Sequence, residues 1–250
     1  LSQIGKLLRG VLKMKLSILI PVFNEEKTVQ QVIERVTDVS IPNMEKEIII
    51  VDDGSSDKTA DILKKIAQKK KNIFFYQHKN NKGKGAAIVT AISHATGDYS
   101  IIQDADLEYN PTQIAILASL IKGNTSVVYG TRLKRLPHLE KEERTGRFLL
   151  HYVGNRMLSL LTSALYGQWI TDMETCYKLF PTEIGKKLHL DAKGFELEPE
   201  LTAKLIKNGL IIQEVPITTT PRSYDEGKKL HTIRDGVKAL KALFYYRFHE

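Results

Sequence analysis

Cysteine is almost absent: of 250 residues only Cys176 carries a thiol, so no intrachain disulfide is possible and a disulfide-stapled scaffold is excluded. Such usage fits a reducing compartment. Also missing is an apolar run long enough to span a bilayer, which takes about 20 residues. The longest charge-free stretch, residues 157–171, includes Ser159, Thr162, Ser163, Gly167 and Gln168. Internal repeats, low-complexity tracts and long linkers are lacking, which removes collagen-like and disordered readings. The seven histidines show no spacing suited to zinc, and the single tryptophan, Trp169, is expected to be a packing residue. What is present is ordinary for a globular protein: 42% hydrophobic and 26% charged residues. Lysine and arginine number 37 against 29 acids, a net +8 that favours anionic partners and is silent about fold.

From residue 15 the pattern alternates strand and helix. Residues 16–22 and 48–51 are continuous apolar runs, and so are residues 73–76, 99–102 and 127–129. Between them lie helical stripes, the first at Val29, Val32, Ile33 and Val36. Apolar strands separated by amphipathic helices predict an α/β fold, a mostly parallel sheet with helices on both faces. Residues 132–147 read as a charged connector. A long helix over 148–165, a strand over 176–180, a helix within 195–208 and a strand over 210–215 follow. A basic amphipathic helix is expected over 232–247. Residues 1–14 read as an N-terminal extension, either disordered or a short basic amphipathic helix with Ile4, Leu7, Leu8 and Val11 on one side.

In a doubly wound sheet, ligands bind beyond the carboxyl ends of the strands, and the acidic residues fall there. Asp52 and Asp53 close the second strand, and Asp104 and Asp106 the fourth. Two carboxylates one residue apart on a turn can share a divalent cation with phosphate oxygens, since Mg²⁺ takes one or two carboxylates and completes its shell with phosphate and water. A nucleoside-diphosphate site is one reading of Asp104 and Asp106; the other is that each caps a helix or turn. Asp57 instead reads as a helix or turn cap. Gly83-Lys84-Gly85 opens a helix, so its N–H groups can face an anion, or its glycines can serve only close packing. It lacks the Gly-Lys-Ser/Thr ending of a P-loop.

Four segments arrive in order: residues 17–26, which contain Pro21, Val22, Asn24 and Glu25; Val51-Asp52-Asp53-Gly54-Ser55; Asn81-Lys82-Gly83-Lys84-Gly85; and Asp104-Ala105-Asp106. This set resembles the family 2 glycosyltransferases. Thr171-Asp172-Met173-Glu174-Thr175-Cys176-Tyr177-Lys178, Phe195-Glu196-Leu197-Glu198-Pro199-Glu200 and the basic stretch 221–229 are similar to its polyprenyl-phosphate branch, typified by dolichol-phosphate mannosyl- and glucosyltransferases.

The resemblance implies a GT-A type nucleotide-sugar-binding fold. One catalytic domain over 15–250 would hold a nucleotide-sugar half to 132, an acceptor half over 133–230 and a C-terminal amphipathic helix over 231–248. It implies metal-dependent, inverting transfer of mannose or glucose from GDP-mannose or UDP-glucose to a dolichyl or undecaprenyl phosphate. Pro21, Val22, Asn24, Glu25, Asp52, Asp53, Lys82, Gly83 and Ala105 would bind the nucleotide sugar. Asp104 and Asp106, with Glu108 as a third ligand, would hold Mg²⁺ or Mn²⁺. Arg132, Arg147, Arg222 and Lys228 would meet the acceptor phosphate, and Asp172, ahead of Glu196, would orient the acceptor or act as base. A phosphate acceptor, with its second pKa near 6, needs little deprotonation at neutral pH. A cytoplasmic enzyme, peripheral on the membrane surface and without nucleic acid, is the expected setting. The alternative is a relative acting on a polysaccharide, glycolipid or protein hydroxyl, which would depend far more on a carboxylate base.

Overall fold

The computed structural model describes residues 13–123, 125–133, 146–220 and 232–249. The expectations for residues 1–12 and the loop containing Arg222 and Lys228 lie outside these residues, as do residues 134–145 of the connector. For Arg147 only the backbone is described.

Seven strands form one sheet: β1 (Met14–Val22), β2 (Met44–Asp52), β3 (Ile73–Gln77), β4 (Tyr99–Ile102), β5 (Val127–Thr131), β6 (Lys178–Pro181) and β7 (Ile212–Pro216). Their order is β3-β2-β1-β4-β6-β5-β7. Between them run α1 (Val29–Asp38), α2 (Thr59–Ala67), α3 (Lys84–His94), α4 (Ile114–Ser119), α5 (Gly146–Tyr166), α6 (Thr182–Lys187), α7 (Leu197–Lys207) and α8 (Thr232–Phe248). Every residue of β1 from Leu16 to Val22 is buried. A strand buried at successive positions must be covered on both faces, because its side chains alternate between them.

The first half is wound as expected. β1 pairs in parallel with β2 and β4, and β2 with β3. The second half departs from simple alternation. β6 enters antiparallel between β4 and β5, while β5 pairs in parallel with β7. This inversion has a functional consequence. An antiparallel strand presents its entry, not its exit, at the end where β1, β2 and β4 deliver their carboxyl-terminal residues. Residues 171–177 are thereby brought beside the acidic turn that follows β4.

The long helix fits its expected range, but its apolar side is split. Leu158, Leu161 and Leu165 pack against the core, whereas Leu149, Val153 and Met157 are exposed at four-residue spacing. Trp169, expected to pack, is 65% exposed. It follows the tight turn at Gly167 (φ 71°), which carries the chain out of α5 with nothing packed above it.

Candidate active site

A cavity of about 720 Å³ opens over the carboxyl ends of β1, β2 and β4. The chain leaving β1 supplies Pro21, Val22, Phe23 and Glu25 to its wall, and the chain leaving β2 supplies Asp53. Asp53 is 2% exposed and heavily engaged. It accepts hydrogen bonds from the backbone N–H of Lys82 at 2.9 Å and of Gly83 at 2.7 Å, and from His78 Nδ1 at 2.7 Å. A carboxylate only accepts, so His78 carries a proton on Nδ1, and its other ring nitrogen lies 2.9 Å from Thr90 Oγ1.

Lys82 and Gly83 thus line the cavity, but their N–H groups are committed to Asp53 rather than aimed at an anion. The glycines serve close approach. Gly83 adopts φ +102°, and a Cβ there would lie 2.2 Å from the Lys193 carbonyl; one on Gly85 would lie 2.4 Å from that of Ala192.

Asp52 and Asn24 do not line the cavity. Asp52 is fully buried, accepting from Ser55 Oγ and from Gln77 Nε2 at 3.0 Å. Asn24, at φ 48°, accepts from Ser56 N at 2.8 Å and donates its own N–H to Ser55 Oγ at 2.8 Å. Asn24 fastens the loop after β1 to the loop after β2, while Asp52 ties that second loop to the ends of β2 and β3. Asp57 caps as expected, accepting from Thr59 N at 3.0 Å.

The acidic turn after β4 is fixed from below. Tyr177 donates to Gln103 Oε1 at 2.7 Å, and Gln103 Nε2 holds the Asp104 carbonyl at 2.9 Å. Leu107 sits at φ 65°, a strained backbone for a branched side chain, and Asp106 Oδ1 accepts from Glu108 N at 3.1 Å. Asp104, Ala105, Asp106 and Glu108 all face the cavity. No cluster of three or more His, Cys, Asp or Glu able to hold a metal exists among the described residues. Hard oxygen donors from one turn, without a complete cage, fit a Mg²⁺- or Mn²⁺-like cation that draws its remaining ligands from a diphosphate.

Lys84 closes the floor. Its Nζ lies 2.8 Å from Asp104 Oδ1 and 3.5 Å from Glu198 Oε1. Burial opposes its charge, but the carboxylate of Asp104, with help from Glu198, holds the ammonium well above the ordinary lysine range. Glu198 in turn pairs with the fully buried Lys178, completing a chain Asp104–Lys84–Glu198–Lys178. The same surroundings push the Cys176 thiol up: it is 2% exposed and chemically quiet.

Arg132 follows β5 and reaches the cavity. Asp172 grips it twice, through Nε and Nη2 at 2.8 Å each, and accepts its backbone N–H at 2.8 Å. Burial opposes the charge, but the Asp172 carboxylate outweighs it and holds the guanidinium well above its usual range. Two of the five guanidinium donors are occupied by Asp172, leaving about three for a ligand. Asp172 itself is wholly buried, is not among the residues lining the cavity, and directs both carboxylate oxygens at Arg132.

Lys84, Glu198 and Glu174 line the cavity although pattern reading did not assign them, and His78, outside its lining, braces Asp53. The Gly-Lys-Gly segment and the acidic run at 196–200 were the available signals for two of them. The far wall comes from α5, with His151, Gly154, Asn155 and Leu158, and from α8, with Arg234, Asp235, Gly236 and Lys238.

Residues 17–188 match the family model described as Glycosyl transferase family 2. A UDP-N-acetylglucosamine–dolichyl-phosphate N-acetylglucosaminyltransferase of Methanococcus voltae is 31% identical over 225 residues, covering 83% of this chain and 86% of its own. A dolichyl-phosphate beta-glucosyltransferase of Trichomonas vaginalis is 28% identical over 245 residues, covering 93% and 74%. Among solved structures, glucosyl-3-phosphoglycerate synthase of Mycobacterium tuberculosis, in complex with Mn²⁺, UDP and phosphoglyceric acid, superposes with a TM-score of 0.67. It is 20% identical, with coverage of 94% of this chain and 79% of that one.

Proposed function

The chain belongs to glycosyl transferase family 2 and has a GT-A type fold, and from that premise we propose that it transfers a hexose or N-acetylhexosamine from a uridine diphosphate sugar to the phosphate of a polyprenyl lipid. The observation that carries the reading is a single cavity with an acidic turn on its floor and a rim of two helices whose outer faces are apolar. α5 and α8 pack together, and Tyr166 on one donates to the Leu243 carbonyl on the other at 2.7 Å. Each supplies polar groups to the cavity and leaves a stripe exposed: Leu149, Val153, Met157 and Leu160 on α5, and Val237, Leu240, Phe244 and Phe248 on α8. Such a rim suits an acceptor with a charged head and a hydrocarbon tail, at a membrane surface. No helix among the described residues is long and apolar enough to cross a membrane. The uridine choice is supported by the printed donor of the M. voltae relative and by UDP in the M. tuberculosis structure.

In this reading Pro21 to Glu25 and Asp53 frame the nucleoside. Asp104 and Asp106, with Glu108 beside them, would hold Mg²⁺ or Mn²⁺, which supplies charge neutralisation on the leaving diphosphate. Arg132 offers its remaining donors to the acceptor phosphate, and Arg147, Arg222 and Lys228 are proposed to add to that charge. The acceptor is largely dianionic at neutral pH and attacks without a protein base, with inversion at the sugar carbon.

Incubating the protein and Mn²⁺ with UDP- and GDP-sugars and short prenyl phosphates should give a prenyl-phosphate sugar by mass. Product formed only on phosphoglycerate, or only on a sugar hydroxyl, would replace this reading. Asp172→Asn is expected to raise KM for the prenyl phosphate about tenfold, by loosening Arg132, with donor KM within about twofold. A fall in kcat of about 10² or more at unchanged KM would instead make Asp172 a base.

A further inference from the structure

We infer that Glu174 accepts a hydrogen bond from a hydroxyl of the sugar being transferred, and so helps set which sugar the site takes; this rests on the glycosyl-transfer reading above. The segment between α5 and β6 is tied down at most of its residues, although Thr175 Oγ1, away from the cavity, is also buried without a partner among the described residues. Asp172 holds Arg132, Met173 N donates to Ser159 Oγ at 3.0 Å, and Cys176 N donates to the Tyr109 hydroxyl at 3.0 Å. The carbonyls of Met173 and Thr175 both accept from Lys178 Nζ at 2.8 Å. Glu174 alone among residues 171–175 turns its side chain into the cavity.

There its Oε1 is shut away from solvent and meets no hydrogen-bond partner among the described residues. A buried, unmatched carboxylate oxygen is costly and marks a place where a ligand supplies what the protein does not. Glu196 lines the same cavity, and its Oε2 is in the same condition, although its other oxygen accepts from Gly194 N at 3.1 Å. Two cavity-lining carboxylates therefore each carry one unmatched acceptor, and a polyhydroxyl ring supplies the donors they lack.

The charges around Glu174 narrow the partner further. Lys178 and Arg132 are balanced by Glu198 and Asp172, so the uncompensated charge of this group is that of Glu174 itself. A phosphate brings only acceptors at neutral pH, and the nucleoside end lies over β1 and β2. Position agrees. The sheet order runs β2-β1-β4-β6, so Glu174, just before β6, lies one strand beyond the acidic turn of β4, on the side away from the nucleoside. A sugar attached beyond a diphosphate held at that turn arrives here. Burial, only partly relieved by Lys178, also pushes the Glu174 carboxyl up to about 7, as expected of a carboxylate lacking donors.

Calorimetry with Mn²⁺ present tests this on the whole chain, comparing wild type, Glu174→Gln and Glu174→Ala with UDP, UDP-glucose, UDP-N-acetylglucosamine and monodeoxy UDP-glucoses. Glu174→Gln keeps the shape and removes a desolvated charge, so it is expected to fold even if the alanine variant does not. Both variants should bind UDP within about twofold of wild type and their preferred UDP-sugar about tenfold more weakly. One deoxy-sugar that wild type binds about tenfold more weakly should cost the variants nothing further. An unchanged ratio of UDP-sugar to UDP affinity in both variants would overturn the inference. So would an unchanged ratio with lost turnover, which would make Glu174 a base. If wild type binds UDP and no sugar donor at all, the transfer reading falls first, and this one with it.

Discussion

Asp106→Asn should leave the fold intact and lower sugar transfer by about 10³-fold, the several kcal/mol that electrostatic help to a leaving diphosphate is worth. The fold should survive because the bond Asp106 accepts from Glu108 N at 3.1 Å can be made equally by an amide oxygen. What is lost is a negative charge facing the cavity, on a turn already held in place by Gln103 and Tyr177.

Asp104→Asn should behave differently. Asp104 also answers Lys84 at 2.8 Å, and its loss leaves that ammonium with Glu198 at 3.5 Å. This variant should therefore lose activity to a similar degree and also about 1 kcal/mol of stability. Transfer rates, thermal melting and calorimetry of UDP with and without Mn²⁺ separate the two effects. Turnover within twofold of wild type in Asp106→Asn, with manganese still tightening UDP binding, would remove this residue from the metal assignment.

The sheet and the acidic turn were legible because each rests on a local rule. Apolar runs such as residues 16–22 can be buried on both faces only in a covered sheet, and carboxylates at strand ends are conspicuous. Asp57 was likewise readable as a cap from its neighbours alone. Partnership across the fold was not readable. Asp172 lies 40 residues from Arg132 in sequence, and nothing near it betrays that its carboxylate is wholly engaged. The antiparallel entry of β6 hid Glu174 in the same way. In a purely parallel sheet the segment before a strand would lie at the opposite end from the site. The N–H groups of Gly83-Lys84-Gly85 pointed to an anion on grounds of turn chemistry, and that of Gly83, with its neighbour Lys82, meets Asp53 of the protein itself. Trp169 failed for a simpler reason: an apolar residue after a helix packs only if another element covers it.

Replacing Lys178 by methionine should cost about 3–5 kcal/mol, because it strips the cation from a buried pair and leaves the other charge behind. Lys178 is 0% exposed and lies 5.1 Å from the centre of the Tyr129 ring. It serves Glu198 and the carbonyls of Met173 and Thr175 together. Methionine fills similar space but offers none of these three acceptors a hydrogen, and Glu198 retains only Lys84. For a domain of this size the melting temperature should fall by about 10 °C. Adding Glu198→Gln should recover part of that loss, since removing both charges is less damaging than removing one. Lys186→Met provides the control: its partner Glu183 is 75% exposed, and melting should hardly move. Because Lys178 also anchors the backbone on both sides of Glu174, the single variant should discriminate sugars poorly even below its melting temperature. A loss under about 1 kcal/mol would show that the pair is not what holds this segment against the acidic turn.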